Sequence, residues 1–220
     1  MAAAPSVLLI YYFYYQTKKN EPKGLIFKIS ALGIIYTLPI YLLEGVVGQL
    51  NAYFDVSLML YYFFEAFIVA GLCEEYIKFR IVMKYVYHTK YFTSMTDGIV
   101  YTVVASLGFA CMENILYVVS GTWVTALARG FTAVPMHAVS SGIMGYFLGQ
   151  AKITQDEKKK RHLINQGLWQ AILIHGLYDF CILVSPILGS IFSLLTVPLI
   201  FSVYLQLRKE MIDFQNGKAS

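Results

Sequence analysis

The chain has 220 residues, of which 58% are hydrophobic and 14% charged, with a formal net charge of +4 and a mean hydropathy of +0.59. A soluble domain carries roughly 25% charged and 45–50% apolar residues, so this composition excludes a water-soluble globule and places the chain in a bilayer. The basic excess then bears on membrane orientation rather than on nucleic acid, and three cysteines (Cys73, Cys111, Cys181), all inside apolar runs, exclude a disulfide framework.

Apolar runs separated by polar punctuation predict seven helices, at about 2–15, 25–48, 57–83, 98–119, 123–149, 164–184 and 187–207. The fold class expected is all-α: a polytopic membrane helix bundle with about seven transmembrane helices, forming one domain over residues 1–220. The first run, Ala2 to Tyr15, has no Lys or Arg before it and reads as a retained helix rather than a signal peptide. It is short for a core of ~30 Å at 1.5 Å per residue. Tyrosines gather near helix ends, as in Tyr11, Tyr12, Tyr14 and Tyr15 and again in Tyr85, Tyr87 and Tyr91, where an apolar ring with a polar tip suits the interface.

Basic residues fall on alternate connections. Lys18, Lys19 and Lys23 follow the first helix; Lys78, Arg80, Lys84 and Lys90 surround the end of the third. Lys152, Lys158, Lys159, Lys160 and Arg161 follow the fifth, and Arg208, Lys209 and Lys218 the last. By the positive-inside rule the N-terminus is expected outside and the C-terminus in the cytoplasm of a multi-pass protein of the cell membrane. The run Gln155–Arg161 reads as a solvated loop.

Charged groups inside these runs are the main chemical signal. Each costs about 2.5–3.5 kcal/mol in hydrocarbon on insertion scales unless it faces protein or water. The third helix carries Glu65, Glu74, Glu75 and Lys78; the fourth Glu113 and Asn114; the fifth Arg129 and His137; the sixth His175 and Asp179. Their combined cost predicts convergence. Residues four apart share a helix face, which pairs Glu74 with Lys78 and His175 with Asp179. Pro135 predicts a bend in the fifth helix beside His137.

Several chemistries drop out. No His-Glu pair exists for a His-Glu-x-x-His zinc site, and Asp179 is the sole aspartate well inside a predicted span, which excludes an aspartate dyad. Val139-Ser140-Ser141-Gly142 lacks the first glycine of a Gly-x-Ser-Gly nucleophile turn. Glutamate and histidine chemistry remains. Glu44 and Glu65 match no motif and read as packing or cavity-lining groups.

Four ordered motifs carry a family resemblance: Glu74-Glu75-x-x-Lys78, Phe109-x-x-x-Glu113-Asn114, Arg129 leading to His137, and His175-x-x-x-Asp179, with Asn20-Glu21-Pro22 ahead of them. On these residues the chain resembles the PrsW intramembrane proteases, related to the CAAX prenyl endopeptidase and bacteriocin-processing superfamily. The resemblance implies a peptide hydrolase acting in or beside the bilayer on a single-span membrane protein, by site-1 cleavage of an anti-sigma factor. The partners implied are that substrate and the lipid bilayer, with no nucleic acid. In the prenyl-protease branch the second motif ends in histidine, whereas Glu113 stands there in this chain.

Two mechanisms follow. In the favoured one no cofactor is required: Glu74 or Glu75 is the base toward a trapped water, the other carboxylate is protonated or paired with Lys78, and His137 positions the water. His175 donates to the oxyanion, with Asp179 fixing its tautomer. In the alternative, Glu113, His137 and His175 bind a divalent metal such as zinc, with a glutamate of the third helix as base. Asn114 and Arg129 are supporting residues, Arg129 chiefly as an ion partner of Glu113 or another carboxylate, with substrate contact as the alternative. A different class, a small proton-coupled transporter, is the competing function, although no internal repeat accompanies it.

One expectation concerns depth. Counted at 1.5 Å per residue, Glu74 lies about 27 Å from the outer end of the third helix and Glu113 about 24 Å from the inner end of the fourth. Straight helices would separate them, so the shared site predicts a long, tilted or interrupted third helix.

Overall fold

The computed structural model describes residues 2–16, 22–54, 56–120 and 123–215, and among them there is no strand. Asn20 and Glu21 of the early turn, with Lys18, Lys19 and Lys218, lie outside the described residues. The helices are α1 (Ala4–Gln16), α2 (Lys23–Phe54), α3 (Leu58–Phe64), α4 (Glu75–Tyr85), α5 (Met95–Ser120), α6 (Trp123–Phe131), α7 (Ala133–Ile153), α8 (Glu157–Leu188), α9 (Ile191–Leu194) and α10 (Thr196–Gln215). A π-helical stretch, Glu65–Glu74, joins α3 to α4 without a break.

Helix α5 is the axis of the bundle, packed against α2 on one side and α7 on the other, with α8 closing over α7 and the π stretch. Small residues set these distances, because helices in a bilayer gain from close van der Waals approach rather than from water exclusion. A Cβ on Gly33 would collide with the Ala105 carbonyl, and one on Gly108 with Ser30, so α2 and α5 cross almost backbone to backbone. Gly98, Gly145 and Gly149 do the same between α5 and α7.

Among the described residues four helices are long and apolar enough to cross a membrane: Lys23–Phe54, Met95–Val119, Glu157–Leu188 and Ile191–Lys209. The expected count of about seven is thus not carried by individual helices. Helix α1 has 13 residues, the third segment is divided among three helical pieces, and α7 spends His137, Ser140 and Ser141 on the buried interior.

Three boundaries differ from expectation, each for a local reason. Helix α5 starts at Met95 instead of 98, because Asp97 Oδ2 accepts from the Thr93 and Ser94 N–H groups while Ser94 Oγ accepts from Asp97 N–H. This is a capping box. Helix α8 starts at Glu157, since Asp156 caps it through the Lys158 and Lys159 N–H groups. The stretch read as a loop through Arg161 is therefore mostly the first exposed turns of a helix. The fifth segment breaks at Thr132, before Pro135; the proline then sits in the first turn of α7, where its missing N–H costs nothing. All three cysteines are free thiols.

Candidate active site

The site begins where the π stretch meets α4. A π turn takes i→i+5 hydrogen bonds and so holds more residues per turn than an α turn, which shortens the axial advance between Glu65 and Glu74. The stretch is seated on α8 by paired small residues: a Cβ on Gly71 would lie 2.9 Å from the Ile172 carbonyl, and one on Gly176 would enter the Phe67 ring. This contact brings Glu74 and Glu75 against His175. It also supplies the interrupted third helix that the depth count requires.

Lys78 is the hub. Its Nζ donates to Glu75 Oε1 at 2.9 Å and Glu74 Oε2 at 3.0 Å, lies 3.0 Å from His137 Nδ1, and sits 4.6 Å from the centroid of the Phe109 ring. An ammonium only donates, so His137 Nδ1 accepts and its proton is on Nε2, which faces Glu113 Oε2 at 2.8 Å. The other Glu113 oxygen pairs with Arg129. The Arg129 Nε donates to Asn114 Oδ1 at 3.0 Å, and its guanidinium lies 3.9 Å from the Tyr117 ring centroid.

On the opposite side of Lys78, His175 Nδ1 faces Glu75 Oε1 at 2.7 Å and His175 Nε2 faces Asp179 Oδ2 at 3.0 Å, with Glu74 Oε2 at 3.8 Å from the same nitrogen. The two imidazoles meet edge to face, 4.9 Å between centroids. One continuous path of polar contacts therefore runs Arg129, Glu113, His137, Lys78, Glu75, His175, Asp179. Glu75 and Lys78 are wholly buried, whereas Asp179 is 24% and Glu113 14% exposed, so the network opens at its two ends.

All nine residues singled out in the sequence fall in this network. Glu75 and Glu113 are joined through Lys78 and His137, although straight helices would have set them at different depths. The structure differs over the metal donors: the buried groups whose ligand atoms lie within 4.8 Å of one another are Glu74, His137 and His175, while Glu113 is held by Arg129 and His137. Sequence reasoning missed Ser141, whose Oγ donates to Glu75 Oε2 at 3.3 Å. Its signal was spacing, four residues beyond His137 on one face of α7. It also missed Ser106, which donates to the His137 carbonyl at 2.9 Å. Glu65 stays outside the hydrogen-bonded path, with Oε2 buried and without a partner among the described residues.

The donor set fits a divalent cation. Two imidazoles and one carboxylate, all buried, form the open three-ligand combination of catalytic zinc, and Glu75 on the far nitrogen of His175 is the kind of carboxylate that orients a ligating histidine. Lys78 Nζ touches two of the three donors and competes electrostatically for the same place.

Residues 21–205 match the model of the "PrsW family intramembrane metalloprotease". The chain is similar to "Protease PrsW" of Geobacillus kaustophilus (strain HTA426), 36% identical over 187 residues that make up 82% of this chain and 77% of that protein. It is also similar to "Protease PrsW" of Oceanobacillus iheyensis, 36% identical over 80% of this chain and 79% of that one, and of Bacillus subtilis (strain 168), 35% identical over 80% and 78%. No solved structure matches. A buried glutamate–histidine network in an apolar helical bundle and a match across most of the chain place this protein in the PrsW family of intramembrane proteases.

Proposed function

We propose that this peptidase hydrolyses a peptide bond of a single-span membrane protein at the bilayer boundary, with an anti-sigma factor cut at its first site as the substrate implied by the family. The observation that carries the reading is the buried path from Glu75 through His175 to the partly open Asp179. Such a path costs several kcal/mol to assemble in hydrocarbon and is retained where it does chemistry.

Glu74 is the base. Glu75 is committed to three donors, Lys78, His175 and Ser141, whereas Glu74 accepts one hydrogen bond, from Lys78. A carboxylate with spare acceptor capacity can take the proton of an attacking water. Glu75 holds the Nδ1 side of His175, so Nε2 is the face turned toward Asp179 and the open edge. Flanked by the carboxylates of Glu75 and Asp179, His175 is held as the imidazolium, so a substrate carbonyl that displaces Asp179 receives a hydrogen bond from Nε2–H as negative charge develops on its oxygen, while Nδ1–H stays on Glu75. His137 accepts from Lys78 at Nδ1 and orients the water through Nε2–H when the water takes the place of Glu113 there, while Lys78 balances the two carboxylates.

The grouping of Glu74, His137 and His175 favours a second reading, in which these three hold a divalent metal. When bound, such an ion lowers the pKa of a coordinated water and polarises the carbonyl. In either reading Glu75 and Ser141 keep His175 in place.

The seven-pass arrangement is part of the proposal. Helices α3 and α4 with the π stretch, α6 with α7, and α9 with α10 each make one pass beside α1, α2, α5 and α8, and the alternation of basic connections puts the N-terminus outside and the C-terminus in the cytoplasm. The test is co-expression with a tagged single-span substrate. Wild type yields the cut product, while Glu74→Gln and His175→Ala, expressed to the same level, yield none; product from both at the wild-type rate would reject the reading.

A further inference from the structure

The face of α4 opposite Lys78 has its own chemistry. Arg80 and Lys84, one turn apart, are exposed, and with Ile77, Ile81, Tyr85 and Tyr36 of α2 they line a crevice of about 150 Å³ between α2 and α4. The Tyr85 ring is close to two ammonium groups, with Lys28 Nζ 4.7 Å and Lys84 Nζ 5.3 Å from its centroid. Among the described residues none of these three cations takes part in an ion pair, and no carboxylate lines the crevice.

We propose that this crevice binds the headgroup of an anionic glycerophospholipid, its phosphate held by Lys28, Arg80 and Lys84 and its acyl chains lying outside along the apolar helix surfaces. Three unneutralised cations at the end of a helix bundle attract a phosphate. The remaining wall explains why the anion belongs to a lipid: Tyr36 lies eight residues beyond Lys28 on α2, about 12 Å along the axis, so the crevice runs from a basic mouth to an aromatic and aliphatic depth. Phe27 on α2, 76% exposed beside Lys28, continues that apolar surface. Because Ile77, Arg80 and Ile81 flank Lys78 on the same helix, an occupied crevice braces the element that carries the hub of the active site. The inference rests on the α4 C-terminus lying at a membrane surface; the orientation proposed above decides only which leaflet supplies the lipid.

The experiment is native mass spectrometry of the full chain in detergent after delipidation, with phosphatidylglycerol and phosphatidylcholine added in equal amounts. Wild type is expected to prefer phosphatidylglycerol by at least about tenfold; each of Lys28→Gln, Arg80→Gln and Lys84→Gln weakens that binding about fivefold, and the triple variant loses the preference. These side chains are exposed, and the melting curve of each variant checks its fold. A control triple, Lys158→Gln, Lys159→Gln and Arg161→Gln, removes the same charge from α8 and is expected to keep the preference. Equal binding of the two lipids by wild type, retention of the preference by the crevice triple, equal loss in the control triple, or displacement of phosphatidylglycerol by inorganic phosphate at the same concentration would each overturn the proposal. Adduct masses are read independently of cleavage, so failure here leaves the protease reading intact, and loss of cleavage leaves this one intact.

Discussion

The ammonium of Lys78 lies 3.0 Å from Nδ1 of His137 while reaching both carboxylates of the Glu74-Glu75 pair. One positive charge, wholly buried, therefore ties the acids of α4 and the π stretch to the imidazole of α7. Removing one partner of such a buried group leaves uncompensated charge, which costs far more than the intact arrangement gains.

Lys78→Met is accordingly expected to destabilise the protein by about 3–5 kcal/mol, read as a fall in melting temperature in detergent. Adding Glu75→Gln to that variant should recover part of the loss by removing one stranded carboxylate. A double variant no more stable than the single would show that Lys78 does not neutralise Glu75.

Arg129 tests orientation rather than charge. Its guanidinium joins Glu113 to Asn114 while stacking on Tyr117, a planar geometry that an ammonium cannot reproduce. Arg129→Lys is expected to lower cleavage by about 10–100-fold, as the loss of an outer orienting partner does, and to approach Arg129→Ala. Near-complete rescue by lysine would reduce Arg129 to a point charge.

The seat of the π stretch can be disturbed without touching a polar group. Gly71→Ala pushes a methyl toward the Ile172 carbonyl of α8, and overpacking of this kind costs about 1–3 kcal/mol. Cleavage should fall with stability as Glu75 and His175 are driven apart. Gly45→Ala, where a Cβ meets nothing within 4 Å, is the matched control and should be neutral or stabilising by up to about 1 kcal/mol, the helix preference of alanine over glycine.

Most of the site was legible in the sequence, because charged residues in apolar runs have few places to go and helical spacing fixes which of them share a face. Glu74 with Lys78 and His175 with Asp179 are pairs of that kind. The π stretch was not legible: its geometry answers a tertiary contact between Gly71 and α8 that no local propensity announces. Nor was Ser141, an ordinary small polar residue until Glu75 arrives from another helix. The starts of α5 and α8 were written in Ser94-x-x-Asp97 and in Asp156, signals that the hydrophobic pattern overshadowed. Thr132 ends α6 in place of Pro135 because a proline in a helix's first turn breaks nothing.

Metal dependence separates the two mechanistic readings. With Lys78 seated among the donors, cleavage by purified protein is expected to persist after treatment with a chelator. Loss of cleavage together with one equivalent of bound zinc, absent from His175→Ala, would assign the chemistry to the Glu74, His137 and His175 set.

The most direct measurement is the rate of cleavage of a fluorogenic single-span substrate by purified protein in liposomes, comparing wild type with Glu74→Gln and Glu75→Gln of matched melting temperature. Loss of a general base costs about 10²–10⁴-fold, so the account predicts a drop of that size for Glu74→Gln with little change in substrate binding, and for Glu75→Gln a loss through a displaced His175. Wild-type turnover by Glu74→Gln would contradict it.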